Sequence, residues 1–297
     1  MSTSACTHRR GITLMEVLIS IGILAVGLSS VVALVPAGKS EAAKAVMLDR
    51  GANLAMNALN DAVTFGLTRP HSFSPQVVGA PLVTFDLLDV SGSASTWTNA
   101  VSGTLKTAGI YALQSSTACD PNLLYGLLQG RDDLAYTAAT NDDDPPLNLF
   151  SNGARSFQGR TTALLSLAPL TGTFAAGSPA KLTAVVFHNR ILSTPSDAVI
   201  SGTYSAGGTI SPVLPASFDR SFKEIIRPGT VVYSPTSPAS QAWYQVAMAS
   251  PDESEGLVYV TFVGDVEPLP GPLQIALDSI GLAEKMVKLE GSGPYGR

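Results

Sequence analysis

The chain has 297 residues, enough for one large or two small domains, and its formal net charge is −5. The acidic balance, together with the lack of any Lys/Arg cluster in the sequence, argues against a phosphate-binding surface, so no nucleic-acid partner is predicted. Only 14% of the residues are charged, while Gly, Ser, Thr, Ala and Pro are abundant, which is typical of an extracytoplasmic β-rich domain with many turns.

The first predicted element is a membrane-spanning helix. Glu16 is followed by no further charge until Lys39, and the 22 uncharged residues from 17 to 38 reach about 33 Å as a helix. A hydrocarbon core is about 30 Å thick, so residues 17–38 are long enough to cross it. Arg9 and Arg10 precede this segment, and the positive-inside bias therefore predicts a cytoplasmic N-terminus with the rest of the chain outside.

The residues just before the apolar run resemble a known leader. Arg-Gly-Ile-Thr-Leu-Met-Glu, residues 10 to 16, is similar to the class III leader of type IV prepilins and type II secretion pseudopilins, whose usual form is Gly-Phe-Thr-Leu-Ile-Glu. The resemblance implies cleavage after Gly11 by a prepilin peptidase, methylation of the new amino group of Ile12, and an assembly role for Glu16. Ile12 and Met15 differ from the usual residues, but both keep apolar bulk.

The same resemblance implies the function and the location of the chain. It predicts a minor pilin or pseudopilin of a type IV pilus or type II secretion filament, with other such subunits and inner-membrane lipid as partners. The protein would cross the bacterial inner membrane once, with its head periplasmic, or extracellular after assembly. An alternative is a membrane-tethered extracytoplasmic binding protein that never polymerises, whose anchor would need neither cleavage before the apolar run nor Glu16.

Glu16 itself has two interpretations. A carboxylate buried in lipid is costly unless it is paired, and intramembrane ionisable residues usually mark function. Cleavage after Gly11 would create an ammonium group at Ile12, about one helical turn away. The other interpretation is a solvated carboxylate at the headgroup level. The leader residues taken together favour the first interpretation, in which the carboxylate of Glu16 pairs with the ammonium group of Ile12.

The helix is predicted to continue beyond the membrane, over residues 12–67, because Gly66 and the following Thr-Arg-Pro supply stop signals. Charged and amide side chains occupy its other faces, so one side is expected to pack. That stripe could contact the chain's own β domain or neighbouring helices, and the sequence leaves both open. The apolar residues that recur at steps of three and four are Ala45, Leu48, Ala52, Ala55, Leu59 and Ala62.

The remainder predicts an α+β fold, in which the long N-terminal helix packs on a mainly antiparallel, β-rich head. We expect a leader over residues 1–11, a head over 68–290 and a disordered tail over 291–297. The stretches 242–249 and 257–263 flank a polar turn and predict an antiparallel hairpin. A short helix is predicted over 121–129, and an amphipathic stretch, 282–289, is a candidate to close the sheet. The other predicted strands cover residues 83–90, 161–168, 181–190, 225–226 and 230–233.

Few residues carry the chemistry of a catalytic or metal site. The acidic run 142–144 lacks the alternating ligands and the glycine of a calcium loop, which favours a solvated turn. His188 lies in an apolar strand, and no histidine-rich metal set can be assembled from the sequence. A single thiol, Cys119, would remain after cleavage and favours a buried structural role. The sequence predicts no enzyme, no cofactor, and no catalytic or metal-binding residues.

Overall fold

A computed structural model describes most of the helix and of the C-terminal half of the chain. The described residues fall into two compact units, with the boundary between Met47 and Leu48, and each unit is described by itself. The predicted leader, Cys119 and the acidic run 142–144 lie outside the described residues, as does the tail beyond residue 291. The described residues are 14–69, 82–85, 127–128, 130, 134–135, 156–157, 161–171, 174–189, 199–214, 222–238, 241–252 and 254–291.

Helix α1 spans Leu14–Thr64 and ends in a hydrogen-bonded cap. Gly66 has a positive φ of 78°, which glycine adopts without steric cost. The N–H of Leu67 donates to the carbonyl of Ala62 at 2.8 Å, and the N–H of Gly66 donates to the carbonyl of Val63 at 3.1 Å. These two bonds are the Schellman pattern, which satisfies carbonyls at the end of a helix. The predicted stop near residues 65 to 67 is therefore confirmed.

The part of α1 that begins at Leu48 packs on the sheet through a face that is rotated from the predicted stripe. Ala55, Leu59 and Ala62 are buried as expected, but Ala52 and Leu48 are exposed, as is Ala45 in the preceding unit. The helix approaches the sheet closely at Gly51, where a Cβ would lie 2.7 Å from Cδ1 of Ile280. This small residue thus sets the distance between helix and sheet. The predicted stripe did not include it, because the stripe was drawn from apolar side chains alone. The buried face consists of Gly51, Leu54, Ala55, Ala58, Leu59 and Ala62.

This face of α1 covers a four-stranded antiparallel sheet. The order is β1–β4–β5–β12, so the last strand lies at one edge and pairs along its whole length with β5. Every residue of β4 is buried, which fits a strand covered on both faces. The strands are β1 (Val83–Phe85), β4 (Thr161–Pro169), β5 (Pro179–His188) and β12 (Ser279–Lys288). A separate short pair consists of β2 (Leu134–Ala135) and β3 (Ser156–Phe157).

Six further strands form a closed antiparallel barrel. Around the barrel the order is β10, β7, β6, β11, β8, β9, and β9 pairs with β10 to close it. Closure leaves no free strand edge. The strands are β6 (Val199–Ser205), β7 (Thr209–Pro212), β8 (Val231–Tyr233), β9 (Trp243–Asp252), β10 (Leu257–Phe262) and β11 (Gly271–Ala276). One helical turn, α2 (Phe222–Ile225), precedes β8, and a 3₁₀ turn (Val263–Asp265) follows β10.

The predicted α+β fold is confirmed, with some corrections to its strands. The antiparallel hairpin over 242–263 forms as β9 and β10, and the strands predicted over 161–168 and 181–190 form as β4 and β5. Residues 225–226 are not a strand, because Ile225 ends the turn α2. The stretch 282–289 forms most of β12, which pairs with β5 and completes the four-stranded sheet at one edge. Of the helix predicted over 121–129, Leu127 and Leu128 are described, and both are helical.

Aromatic rings fill the barrel interior. Tyr204 and Tyr244 each meet Phe262 edge to face, with ring centroids 5.7 Å apart. The Tyr204 hydroxyl donates to Oε2 of Glu267 at 2.8 Å, and burial together with this carboxylate raises the pKa of Tyr204 to about 12. Trp243 packs outside the barrel against Tyr233, and its Nε1 donates to Oγ of Ser166 on β4 at 2.8 Å. This bond joins the barrel to the sheet.

Replacing Gln274 by leucine is expected to stabilise the head. Gln274 is 1% exposed, and neither its Nε2 nor its Oε1 has a hydrogen-bond partner within the described residues. An unpaired buried amide costs about 1 to 3 kcal/mol, which an apolar side chain of similar size avoids. The free energy of unfolding, measured by urea denaturation, should therefore rise. The partly buried Gln245 is the control, since Gln245→Leu should change stability by less than about 0.5 kcal/mol. A loss of stability in Gln274→Leu would show that the amide is paired in solution.

Candidate functional site

The candidate site is the apolar first part of α1, in the unit that ends at Met47. The large aliphatic side chains described between Leu14 and Val35 are all exposed, on every side of the helix. A helix that is apolar all round and covered by no protein needs another apolar environment. Its length and composition are sufficient to cross a membrane.

Two serine hydroxyls within this segment are satisfied by the helix itself. Ser20 donates to the carbonyl of Glu16 at 2.7 Å, and Ser29 donates to the carbonyl of Val26 at 2.8 Å. Polar groups in lipid need such internal partners because no water is present to replace them. These serines are therefore compatible with burial in a membrane.

Charge returns abruptly at the far end of the apolar segment. Lys39 is the first charged residue after Glu16, and Lys44 then forms an exposed ion pair with Glu41 at 2.8 Å. Pro36 lies inside the helix just before this change. Since proline has no N–H, the carbonyl one turn earlier loses its usual donor, which is best tolerated near an interface.

Glu16 lies in the first turn of α1 as the structure describes it. The predicted processing residues Gly11 and Ile12 lie outside the described residues, so their spacing from Glu16 stays a prediction. The sequence alone identified Glu16, because it is the one charge in a long apolar stretch.

The part of α1 that follows Met47 has a second apolar surface, next to the face that packs on the sheet. Leu48, Ala52 and Met56 recur every four residues, and all three are exposed. Leu48 is 52% exposed and Met56 is 54% exposed. We call Leu48, Ala52 and Met56 the helix ridge. It includes two residues of the predicted stripe, Leu48 and Ala52, which are exposed rather than packed on the sheet.

Polar contacts fix the end of α1 to β12, and sequence reasoning missed them. Nζ of Lys285 donates to Oδ1 of Asn60 at 2.7 Å, and Nε of Arg69 lies 2.9 Å from Oε2 of Glu290. The N–H of Glu290 also donates to the carbonyl of Thr68 at 3.2 Å. The partners are more than 200 residues apart in sequence, so no local pattern could have indicated them.

The head carries no obvious catalytic centre among its described residues. An open cavity of about 340 Å³ lies where the sheet meets the barrel and is lined by Trp243, Gln245 and the ion pair of Lys181 with Glu284. In the part of the chain that the structure describes, no group of three or more His, Cys, Asp or Glu side chains could hold a metal ion. His188 is the last residue of β5, and its backbone N–H donates to the backbone carbonyl of Asp278 at 2.8 Å.

Comparison with known proteins identifies the N-terminal region. Residues 6–32 match the family model of the prokaryotic N-terminal methylation motif. The chain thus carries the class III leader of type IV pilin-like proteins, followed by an apolar N-terminal helix, and the resemblance seen in the sequence is confirmed. No curated protein and no solved structure matches the chain. The pilin-like class is structural rather than enzymatic.

Proposed function

We propose that this chain is a prepilin-like subunit, a minor pilin or pseudopilin, of a type IV pilus or type II secretion filament. A prepilin peptidase cleaves it after Gly11 and methylates Ile12. The apolar helix then holds the subunit in the bacterial inner membrane, with its N-terminus in the cytoplasm and its head in the periplasm. The match of residues 6–32 to the methylation motif, directly followed by an exposed apolar helix, carries this proposal.

Glu16 is the assembly residue in this proposal. Once Gly11 is removed, the amino group of Ile12 is a positive charge that must be neutralised where water is excluded. The carboxylate of Glu16 is about one helical turn away within the chain, and in a filament it also meets the amino group of an adjacent subunit. Pairing lowers the cost of placing both charges in lipid.

The helix ridge gives the proposed subunit a second contact with its neighbours. Its three side chains are apolar, exposed and in line, as expected of a surface that packs against another helix. The size of the head, which contains both a sheet and a barrel, favours a minor or adaptor subunit over a bulk filament subunit.

Placing a charge on the helix ridge is expected to block assembly without unfolding the head. Leu48→Glu alters an exposed side chain, so the free energy of unfolding should change by less than about 0.5 kcal/mol. A carboxylate in an apolar helix contact costs at least about 1.4 kcal/mol, so incorporation should fall at least tenfold. Crosslinking in the membrane, followed by quantification of the filament fraction, measures incorporation.

Asn57→Glu is the matched control for this variant. It adds the same charge about 140° around the helix from Ala52, at another exposed residue. Incorporation of this variant should equal that of the parent. The alternative function, a tethered protein that never polymerises, predicts that Leu48→Glu changes nothing. Equal incorporation of both variants and the parent would refute the assembly role of the helix ridge.

A further inference from the structure

One side of the barrel has an exposed surface with a single charged side chain, Asp252, at its edge. Strands β6, β7 and β10 contain no Asp, Glu, Lys or Arg, and β9 contains one, Asp252, which is its last residue. These four strands are neighbours in the barrel, in the order β6–β7–β10–β9. Exposed surfaces of soluble proteins are commonly about one quarter to one third charged, so this surface carries fewer charges than most.

The outward residues of these strands form a row of hydroxyl groups. The strand register places Ser205 opposite Thr209, Thr209 opposite Tyr259, and Tyr259 opposite Ser250. Neighbouring strands lie about 4.8 Å apart, so the row extends for roughly 14 Å across four strands. The residues next to them in sequence, such as Tyr204 and Ile210, point inward into the barrel core. We call the surface around this row the hydroxyl face. It also includes Thr203, Ser211, Thr261 and Met248, which lie on the same side of these strands.

The groups of the row are available to an external ligand. Tyr259 is 46% exposed, Ser205 and Ser250 are exposed, and Thr209 is half-buried. Within the part of the chain that the structure describes, no hydrogen bond or ion pair involves these four side chains. Met248 is 68% exposed on the strand next to Tyr259, so the hydroxyl face has an apolar centre as well as polar groups.

Charge and hydrogen-bonding capacity decide which ligand fits. Each hydroxyl both donates and accepts, so the row matches a ligand that carries many hydroxyls of its own. A face without cations offers nothing to a phosphate or to an acidic polymer. The exposed ring of Tyr259 provides an apolar surface with a polar edge. We propose that the hydroxyl face binds a neutral polysaccharide, which lies along the row with one sugar ring against Tyr259.

Retention of the full-length chain on polysaccharide beads tests this proposal. The protein in detergent micelles is applied to beads of neutral glucan (cellulose or amylose) and to beads of carboxylated alginate. We expect retention on at least one neutral glucan and at least fivefold less on alginate. Tyr259→Ala should reduce retention on the neutral glucan at least fivefold. Thr261→Glu should do the same, because a carboxylate on the face must lose its hydration beside a neutral ligand.

Phe65→Ala is the matched control, because Phe65 is also 46% exposed but lies beyond the end of α1. It should leave retention unchanged, and thermal unfolding of all three variants should match that of the parent. The proposal is overturned if no neutral glucan retains the chain, if Tyr259→Ala binds as well as the parent, or if alginate binds better. It is also overturned if the face joins two copies of the chain, so that Tyr259→Ala dissociates an oligomer and leaves retention unchanged.

Discussion

Replacing Leu59 by alanine should lower the free energy of unfolding of the head by about 3 kcal/mol, because the helix is part of its core. Leu59 is 1% exposed and lies on the face of α1 that packs on the sheet. Truncation removes its contacts and leaves a cavity that the sheet cannot fill. For a domain of this size the midpoint of thermal unfolding should fall by about 6 to 12 °C. Thermal unfolding of the full-length chain in detergent, followed by near-ultraviolet circular dichroism, measures the change.

Leu48→Ala provides the control on the same helix. It deletes the same atoms from a side chain that is exposed, so stability should change by less than about 0.5 kcal/mol. Together the two variants separate the face that packs on the sheet from the helix ridge. Equal effects of Leu59→Ala and Leu48→Ala would contradict the packing described for α1.

Replacing Glu16 by leucine should leave membrane insertion intact and abolish assembly. Loss of the charge makes the segment more apolar, so insertion should improve, by at most about 2.5 to 3.5 kcal/mol. The ammonium of Ile12 then lacks its partner, and a buried unpaired charge costs on the order of 3 to 5 kcal/mol. That cost corresponds to a loss of at least about a hundredfold in subunit association. Co-purification of the variant with filament partners, normalised to its level in the membrane, measures this loss.

Ser20→Ala is the control for Glu16→Leu. Ser20 lies one turn further along the helix, and its hydroxyl is already bonded to the backbone of Glu16. Its loss should change neither insertion nor assembly. If Glu16→Leu is inserted, processed and incorporated as well as the parent, the carboxylate is solvated at the headgroup level and charge pairing plays no part.

The sequence predicted the apolar start and the end of α1 well, because their signals are local. An apolar run with one charge indicates the first part of the helix and Gly66 marks its end, and each signal acts within a few residues. The face that packs on the sheet was predicted only in part. Ala52 fits the helical period as well as Ala55 does, and the sheet that distinguishes them is formed by residues far along the chain.

The barrel was the main feature that the sequence did not indicate. Strands β9 and β10 are rich in β-branched and aromatic residues and were predicted, whereas β6, β7 and β11 contain Gly, Ser, Thr and Pro and resemble turns. β6 and β7 form a hairpin with each other, but both also pair with distant strands, as Ser201 of β6 does with Gln274 of β11, and this adds hydrogen bonds to otherwise weak segments. The hydroxyl face depends on that pairing and could not be inferred before the strand order was known.

N-terminal sequencing of the protein from the membrane fraction tests the central claim most directly. Edman degradation or mass spectrometry of the purified chain identifies its first residue and any methyl group on it. The proposed processing predicts a mature chain that begins at Ile12 with a methylated amino group. A chain that begins at Met1, or at any residue after Ala33, would contradict the assignment as a prepilin-like subunit.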